Sequence, residues 1–171
     1  ASPPSPSRWA GRLRASRAAQ ELLTEQLRDQ ATRDGLTGCL NHRAFLERLE
    51  EEISRARRTR QPLGFVMLDL DDFKRANDTH GHVAADELLS ELGAALRQCV
   101  RACDVVGRIG GDEFAVLAPG SDERETLALA ERVERELRSV GTGLEVGVSA
   151  GVAVLHDQDD ARGLRHRADE A

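Results

Sequence analysis

The chain has 171 residues, enough for one domain and a modest extension. Apolar residues make up 40% of it, enough for a packed core, so global disorder is excluded. A formal net charge of −6 argues against a protein that coats nucleic acid, and no apolar run of about 18 residues marks a membrane span. No secretory leader is visible, and Cys39, Cys99 and Cys103 are too few and too irregular for a disulfide framework. The expectation is a reducing, cytoplasmic setting, with no nucleic-acid partner and no membrane contact by this segment.

Charge is uneven along the chain. Residues 1–33 hold six arginines against Glu21, Glu25 and Asp29, so the remainder is more acidic than the whole. Of the 24 Lys and Arg residues, only Lys74 is lysine. The first seven residues, ASPPSPS, read as a disordered start. Arg8 to Arg33, Gly11 apart, favours helix. Leu13, Gln20, Leu23, Leu27 and Gln30 fall near a seven-residue stripe, which fits either a short coiled-coil seam that dimerises or a solvated connector helix. Residues 1–33 are therefore assigned to a start and linker helix, and 34–171 to the domain.

Asp34-Gly35 and Thr37-Gly38 break the first helix, and Asn41 is a natural N-cap for the next. Phe45, Leu46, Leu49, Ile53 and Ala56 recur at helical spacing until Gln61-Pro62 ends the run. Arg55, Arg57, Arg58 and Arg60 near its end read as a solvated helix terminus that complements the helix dipole. Leu63 to Leu70 is a compact apolar run, a buried strand. A polar turn is expected over Asn77 to His82, then an amphipathic helix over Val83 to Val100. Val105 to Ile109 and Phe114 to Leu117 read as strands around a Gly110-Gly111-Asp112-Glu113 hairpin. Asp122 to Val140 reads as a helix, Leu144 to Leu155 as a strand or hairpin arm, and Ala161 to Ala171 as the start of a last helix. Neighbouring strands in the sequence favour an α+β domain with a central, mainly antiparallel sheet flanked by helices. Neither common glycine-rich nucleotide fingerprint occurs.

Asp69 ends a buried strand, and Asp112 and Glu113 sit on a turn that can lie beside that end. Carboxylates converging there make a hard, oxygen-rich site of the kind Mg²⁺ uses when it also holds substrate phosphates. Gly110 and Gly111 let a bulky triphosphate approach the backbone. A plain Gly-Gly hairpin with solvated acids explains the same residues equally well.

The run Gly110-Gly111-Asp112-Glu113-Phe114 resembles the signature of GGDEF domains, the diguanylate cyclases. Asp34-x-Leu36-Thr37-x-x-Leu40-Asn41-x-Arg43 looks like the family's opening motif. Asp69-Leu70-Asp71-Asp72-Phe73-Lys74, followed by Asn77-Asp78 and Gly81-His82, looks like its substrate-binding segment, and Ser149-Ala150-Gly151 like its late strand. The resemblance covers about residues 30–171. It implies a fold like a nucleotidyl cyclase or polymerase palm. It also implies an enzyme that condenses two GTP molecules into cyclic di-GMP, with release of two pyrophosphates, when two domains face each other as a homodimer.

Carried over residue by residue, the resemblance makes Asp69, the Leu70 carbonyl, Asp112 and Glu113 ligands of Mg²⁺ or Mn²⁺. Asp112, with Glu113 beside it, supplies the catalytic carboxylates and is the candidate base. Asn77 and Asp86 would read guanine, with His82 near the base; a carboxylate accepts from N–H groups that adenine does not offer. Lys74 would reach the terminal phosphates as a mobile point charge. Gly110 and Gly111 complete the substrate set. Arg101-Ala102-Cys103-Asp104, with Arg132, resembles the family's inhibitory product site, where arginine pairs with phosphate and stacks on guanine.

Three positions depart from the family pattern. Ala85 replaces a usual glycine, and its methyl either crowds GTP or is harmless. His42 stands where arginine is frequent. The sequence stops at Ala168-Asp169-Glu170-Ala171, the start of the family's last helix, so the domain is expected to be cut short there. A catalytically weak domain that serves as a cyclic di-GMP receptor is the alternative function. Cys99 and Cys103 lack further ligands for zinc.

Overall fold

The computed structural model describes Arg17, Gln20, Glu21, Leu27, residues 29–140 and residues 146–171. The Pro/Ser-rich start, Leu13 and Leu23 of the seven-residue stripe, and Leu144 lie outside the described residues. Gln20, Leu27 and Gln30 are helical and exposed.

Helix α1 spans His42–Thr59. The Asn41 side chain accepts from the Ala44 amide at 3.0 Å, satisfying one of the donors a helix start leaves open. Arg60 closes the helix in a left-handed conformation, and Pro62 prevents its continuation. Phe45, Leu49, Ile53 and Ala56 form its buried stripe. Glu52 is buried on this helix at 1% exposure, and Arg48 and Arg55 pair with it at 2.7 and 3.3 Å.

Strand β1, Leu63–Asp71, is the apolar run. It pairs antiparallel with β3 (Glu113–Pro119) on one side and β4 (Gly147–Val154) on the other. β2 (Val105–Arg108) pairs antiparallel with β3 at the edge, so the four-stranded order is β2-β3-β1-β4. A strand enclosed between two layers is apolar on both faces. Val66, Leu68 and Leu70 face α3 (His82–Cys99) and α4 (Glu123–Arg138), packing with Leu89, Leu92, Leu129 and Val133. Leu63 and Phe65 face α1 and α5 (Ala161–Asp169), with Phe45, Leu49 and Leu164. Each such fully buried side chain contributes about 1.5–3 kcal/mol relative to exposure. Asp122 starts α4 with a reciprocal capping box to Glu125, and Asp160 starts α5 by accepting from the Gly163 amide at 2.7 Å.

The expected turn over Asn77 to His82 is instead largely helix. Helix α2 spans Phe73–His80, with Ala76 buried beneath an otherwise polar surface. Asn77, Asp78 and Thr79 are poor helix formers in isolation, and packing of the segment overrides that preference. The break shrinks to Gly81, whose φ of 85° is open to glycine without strain and whose N–H donates to Asn77 O at 2.8 Å.

Candidate active site

Register assembles the site. Asp69 lies directly opposite Glu113 on β3 and Ser149 on β4, and opposed residues point to the same face of a sheet. The next residue, Leu70, donates its amide to Asp112 O at 3.3 Å, which ties the hairpin to the end of β1. The Ile109 and Gly110 amides both donate to Glu113 O, at 2.9 and 3.3 Å, and close the turn. Asp71 lies two residues beyond Asp69 on the same face, and its Oδ1 accepts from Ser149 Oγ at 2.7 Å.

The acids act on one another. Partial burial, then the charges of Asp112, Asp71 and Asp169, push the Asp69 pKa up. The charges acting on Asp69 are thus all acidic, and an oxygen set of this kind fits a hard divalent ion. Among the described residues no group of three His, Cys, Asp or Glu is close enough to cage a metal. Mg²⁺ does not require a cage, because it commonly takes one or two carboxylates and fills its remaining positions with water and substrate phosphates.

The two glycines have different surroundings. A side chain at Gly110 would meet the Glu113 carboxylate at 2.3 Å, whereas Gly111 faces open space. Lys74 is exposed in the first turn of α2, and Asp72 makes no side-chain cap bond there. Asn77 is half-buried on α2 and its Oδ1 is buried without a hydrogen-bond partner. His82 and Asp86 are exposed on α3, across the Gly81 break. Ala85 is 3% exposed, so its methyl belongs to the helix interior.

Arg101 and Asp104 form a tight turn. The Arg101 amide donates to Asp104 Oδ2 at 2.8 Å and the Asp104 amide to Arg101 O at 3.0 Å. The motif is therefore held by backbone and does not consume the arginine side chain. Both residues line a cavity of about 580 Å³ that Arg33, Arg48, Arg55 and Arg97 also line. Sequence reasoning missed these four as a group, since they come from three segments, the lead-in, α1 and α3; the Arg-rich end of α1 was their one visible trace. Arg132 is half-buried on α4, where its charge acts on Cys99, and is not among the residues lining this cavity.

The family described as "Diguanylate cyclase, GGDEF domain" matches residues 31–171. The diguanylate cyclase DgcP of Pseudomonas aeruginosa is 36% identical over 152 residues, 86% of this chain; the chain spans only 23% of that relative's length. The crystal structure of diguanylate cyclase SiaD of P. aeruginosa with its activator SiaC superposes with a TM-score of 0.79 at 36% identity, covering 96% of this chain and 66% of that one. The coiled coil and GGDEF domain of DgcB from Caulobacter crescentus, in complex with c-di-GMP, superposes with a TM-score of 0.82 at 28% identity, covering 96% and 90%. The antiparallel four-stranded sheet flanked by helices is thus a shared architecture, and the chain belongs to the GGDEF domain family of diguanylate cyclases.

Proposed function

We propose that this domain is one half-site of a diguanylate cyclase: it holds one GTP, and two copies face each other to make cyclic di-GMP. The observation that carries the reading is the convergence of Asp69 and Asp112 beside open space at Gly111. Asp69, the Leu70 carbonyl, Asp112 and Glu113 would hold Mg²⁺ or Mn²⁺. When bound, the ion offsets triphosphate charge and makes the attacking hydroxyl more acidic.

The chain's own residues bind and orient. Asn77, with its unpartnered Oδ1, and Asp86 accept from guanine N–H groups, and His82 flanks the base. Lys74 and the uncapped start of α2 meet the phosphates. The buried methyl of Ala85 leaves the base its space. Asp112, with Glu113 next to it, takes the proton of the 3′-hydroxyl. That oxygen bonds to the α-phosphorus of the partner's GTP, and the α–β bridging bond breaks, so pyrophosphate leaves with the electron pair. Two such transfers close the ring. Facing copies turn an improbable encounter into a near-intramolecular one.

Arg101 and Asp104 form a product-binding site at the arginine-lined cavity, with Arg132 on the neighbouring helix as its further arginine. Cyclic di-GMP there would restrain the domains and inhibit synthesis. The alternative, a weak enzyme that serves as a receptor, retains this site and loses the first.

Purified protein given GTP and Mg²⁺ is expected to form cyclic di-GMP, separable by chromatography, and Asp112→Ala to abolish it. No product at high protein concentration, with bound product removed, overturns the cyclase reading in favour of the receptor.

A further inference from the structure

Arg108 ends β2 and belongs to neither charged site, yet it joins two segments that matter. Its Nε and Nη2 donate to Gly111 O at 3.2 and 2.7 Å. Its Nη1 donates to Asp34 Oδ1 and Oδ2 at 3.2 and 3.4 Å. Both side chains are largely shielded, at 16% and 25% exposure, so the pair is less screened than a surface ion pair.

Asp34 is itself fixed. Its Oδ1 accepts from the Thr37 amide at 2.9 Å and from Thr37 Oγ1 at 2.7 Å. Burial alone would raise its pKa, but the bonds from Thr37 and the charge of Arg108 hold it below the usual aspartate value. The turn over residues 34–40 also grips the sheet edge by backbone: Leu40 N donates to Val106 O and Arg108 N to Leu40 O, at 3.0 and 2.8 Å. Immediately before it, Arg33 pairs with Asp29 of the helical lead-in and donates to Gly38 O. A continuous set of contacts therefore runs from the lead-in, through Asp34 and the Arg108 guanidinium, to the carbonyl directly preceding Asp112.

We propose that Arg108 is a positioning residue: by fixing Gly111 O it sets the orientation of Asp112, and through Asp34 it makes that orientation depend on the seating of the lead-in turn. The inference rests on the cyclase reading and names how the same site is regulated. A guanidinium suits this position because Nε and Nη2 reach Gly111 O while Nη1 reaches Asp34, a spread of planar donors that the single nitrogen of a lysine does not reproduce.

The test compares wild type, Arg108→Lys, Arg108→Ala and Asp34→Asn in the full chain. It measures kcat and KM for GTP, and hydrogen exchange of the amides over residues 109–113 without nucleotide. In Arg108→Lys, kcat is expected to fall about tenfold to a hundredfold with KM changed less than about twofold, the size of effect a small misplacement of a reacting group produces. Hairpin amides exchange faster in the same protein, which remains folded at the assay temperature. Asp34→Asn keeps the Thr37 contacts and moves both readouts the same way by less. Wild-type kcat and unchanged hairpin exchange in both Arg108 variants overturn the proposal, as does a loss seen only in KM. Should the wild type make no product, the cyclase reading fails, and the exchange measurement still decides whether Arg108 holds the hairpin.

Discussion

At two margins of one sheet the charge has opposite sign. Where β1 ends and β3 begins, Asp69, Asp71, Asp112 and Glu113 gather, and Asp169 of α5 is close enough to raise the Asp69 pKa. At the outer edge, beside β2, Arg33, Arg48, Arg55, Arg97 and Arg101 line one cavity. The two margins differ in how their charge is balanced. The basic side has acids of its own, Asp104 in the cavity wall and Glu52 buried beneath Arg48 and Arg55. On the acidic side the charges that act on Asp69 are all acidic and disfavour its carboxylate, while Arg162, Arg165 and His166 of α5 share a pocket with only two of the acids, Glu113 and Asp169. A region that is balanced apart from an excess of arginine suits an anion of modest charge. A region left unbalanced suits metal ions that arrive with a substrate. The formal net charge of −6 averages the two and discloses neither.

The largest test of this contrast is Asp112→Ala, which should abolish detectable cyclic di-GMP formation, a loss of at least about a thousandfold, as removal of a general base produces. Product affinity at the basic margin should be untouched in that variant. The reverse test is Arg101→Ala. Its turn survives, because backbone amides hold it. Cyclic di-GMP measured by calorimetry should nevertheless bind about tenfold to a hundredfold more weakly, the worth of a hydrogen bond to a charged group. Unchanged affinity would remove Arg101 from the site.

Asp34→Asn probes the join between the margins. The folded pKa of Asp34 is lowered, so its ionised form adds stability above the usual aspartate pKa, and this is lost as pH falls through the lowered value. The variant should melt about 2–4 °C lower at neutral pH, what about 1 kcal/mol gives in a chain of this size, and match wild type in acid. A constant difference at every pH would mean that charge is not what holds the pair.

Asp69→Asn should have the smallest effect, and of opposite sign. Its folded pKa is raised, so wild type gains stability in metal-free buffer as pH falls from neutral toward the usual aspartate value. The asparagine variant should melt slightly higher than wild type at neutral pH and show a flatter pH dependence. A lower midpoint in metal-free buffer would show that the acids are already compensated within the fold.

Most secondary structure was legible because its causes are local. Asn41, Asp122 and Asp160 cap helices a few residues away, and the α1 stripe repeats every turn. Helix α2 was the exception: Asn77, Asp78 and Thr79 carry turn chemistry, and packing of Phe73 against the core with burial of Ala76 overrides it. Asp69, Asp112, Asn77 and Asp86 could be named from motifs, since each lies in a contiguous string of residues. The arginine cavity could not. Arg33, Arg48, Arg55 and Arg97 stand on segments that share no motif and meet only once the lead-in and α1 lie against the β2 edge.

The sequence by itself therefore determined the family and every element but helix α2, because short-range spacing encodes periodicity, caps and turns, and it named the acids as candidates. Tertiary structure alone decided that Asp69 faces Glu113 across 43 intervening residues, that five arginines share a cavity, and that Arg108 spans from Asp34 to Gly111. Those are matters of strand register and packing between layers, in which the partners of a residue are chosen by the whole fold and not by its neighbours in the chain.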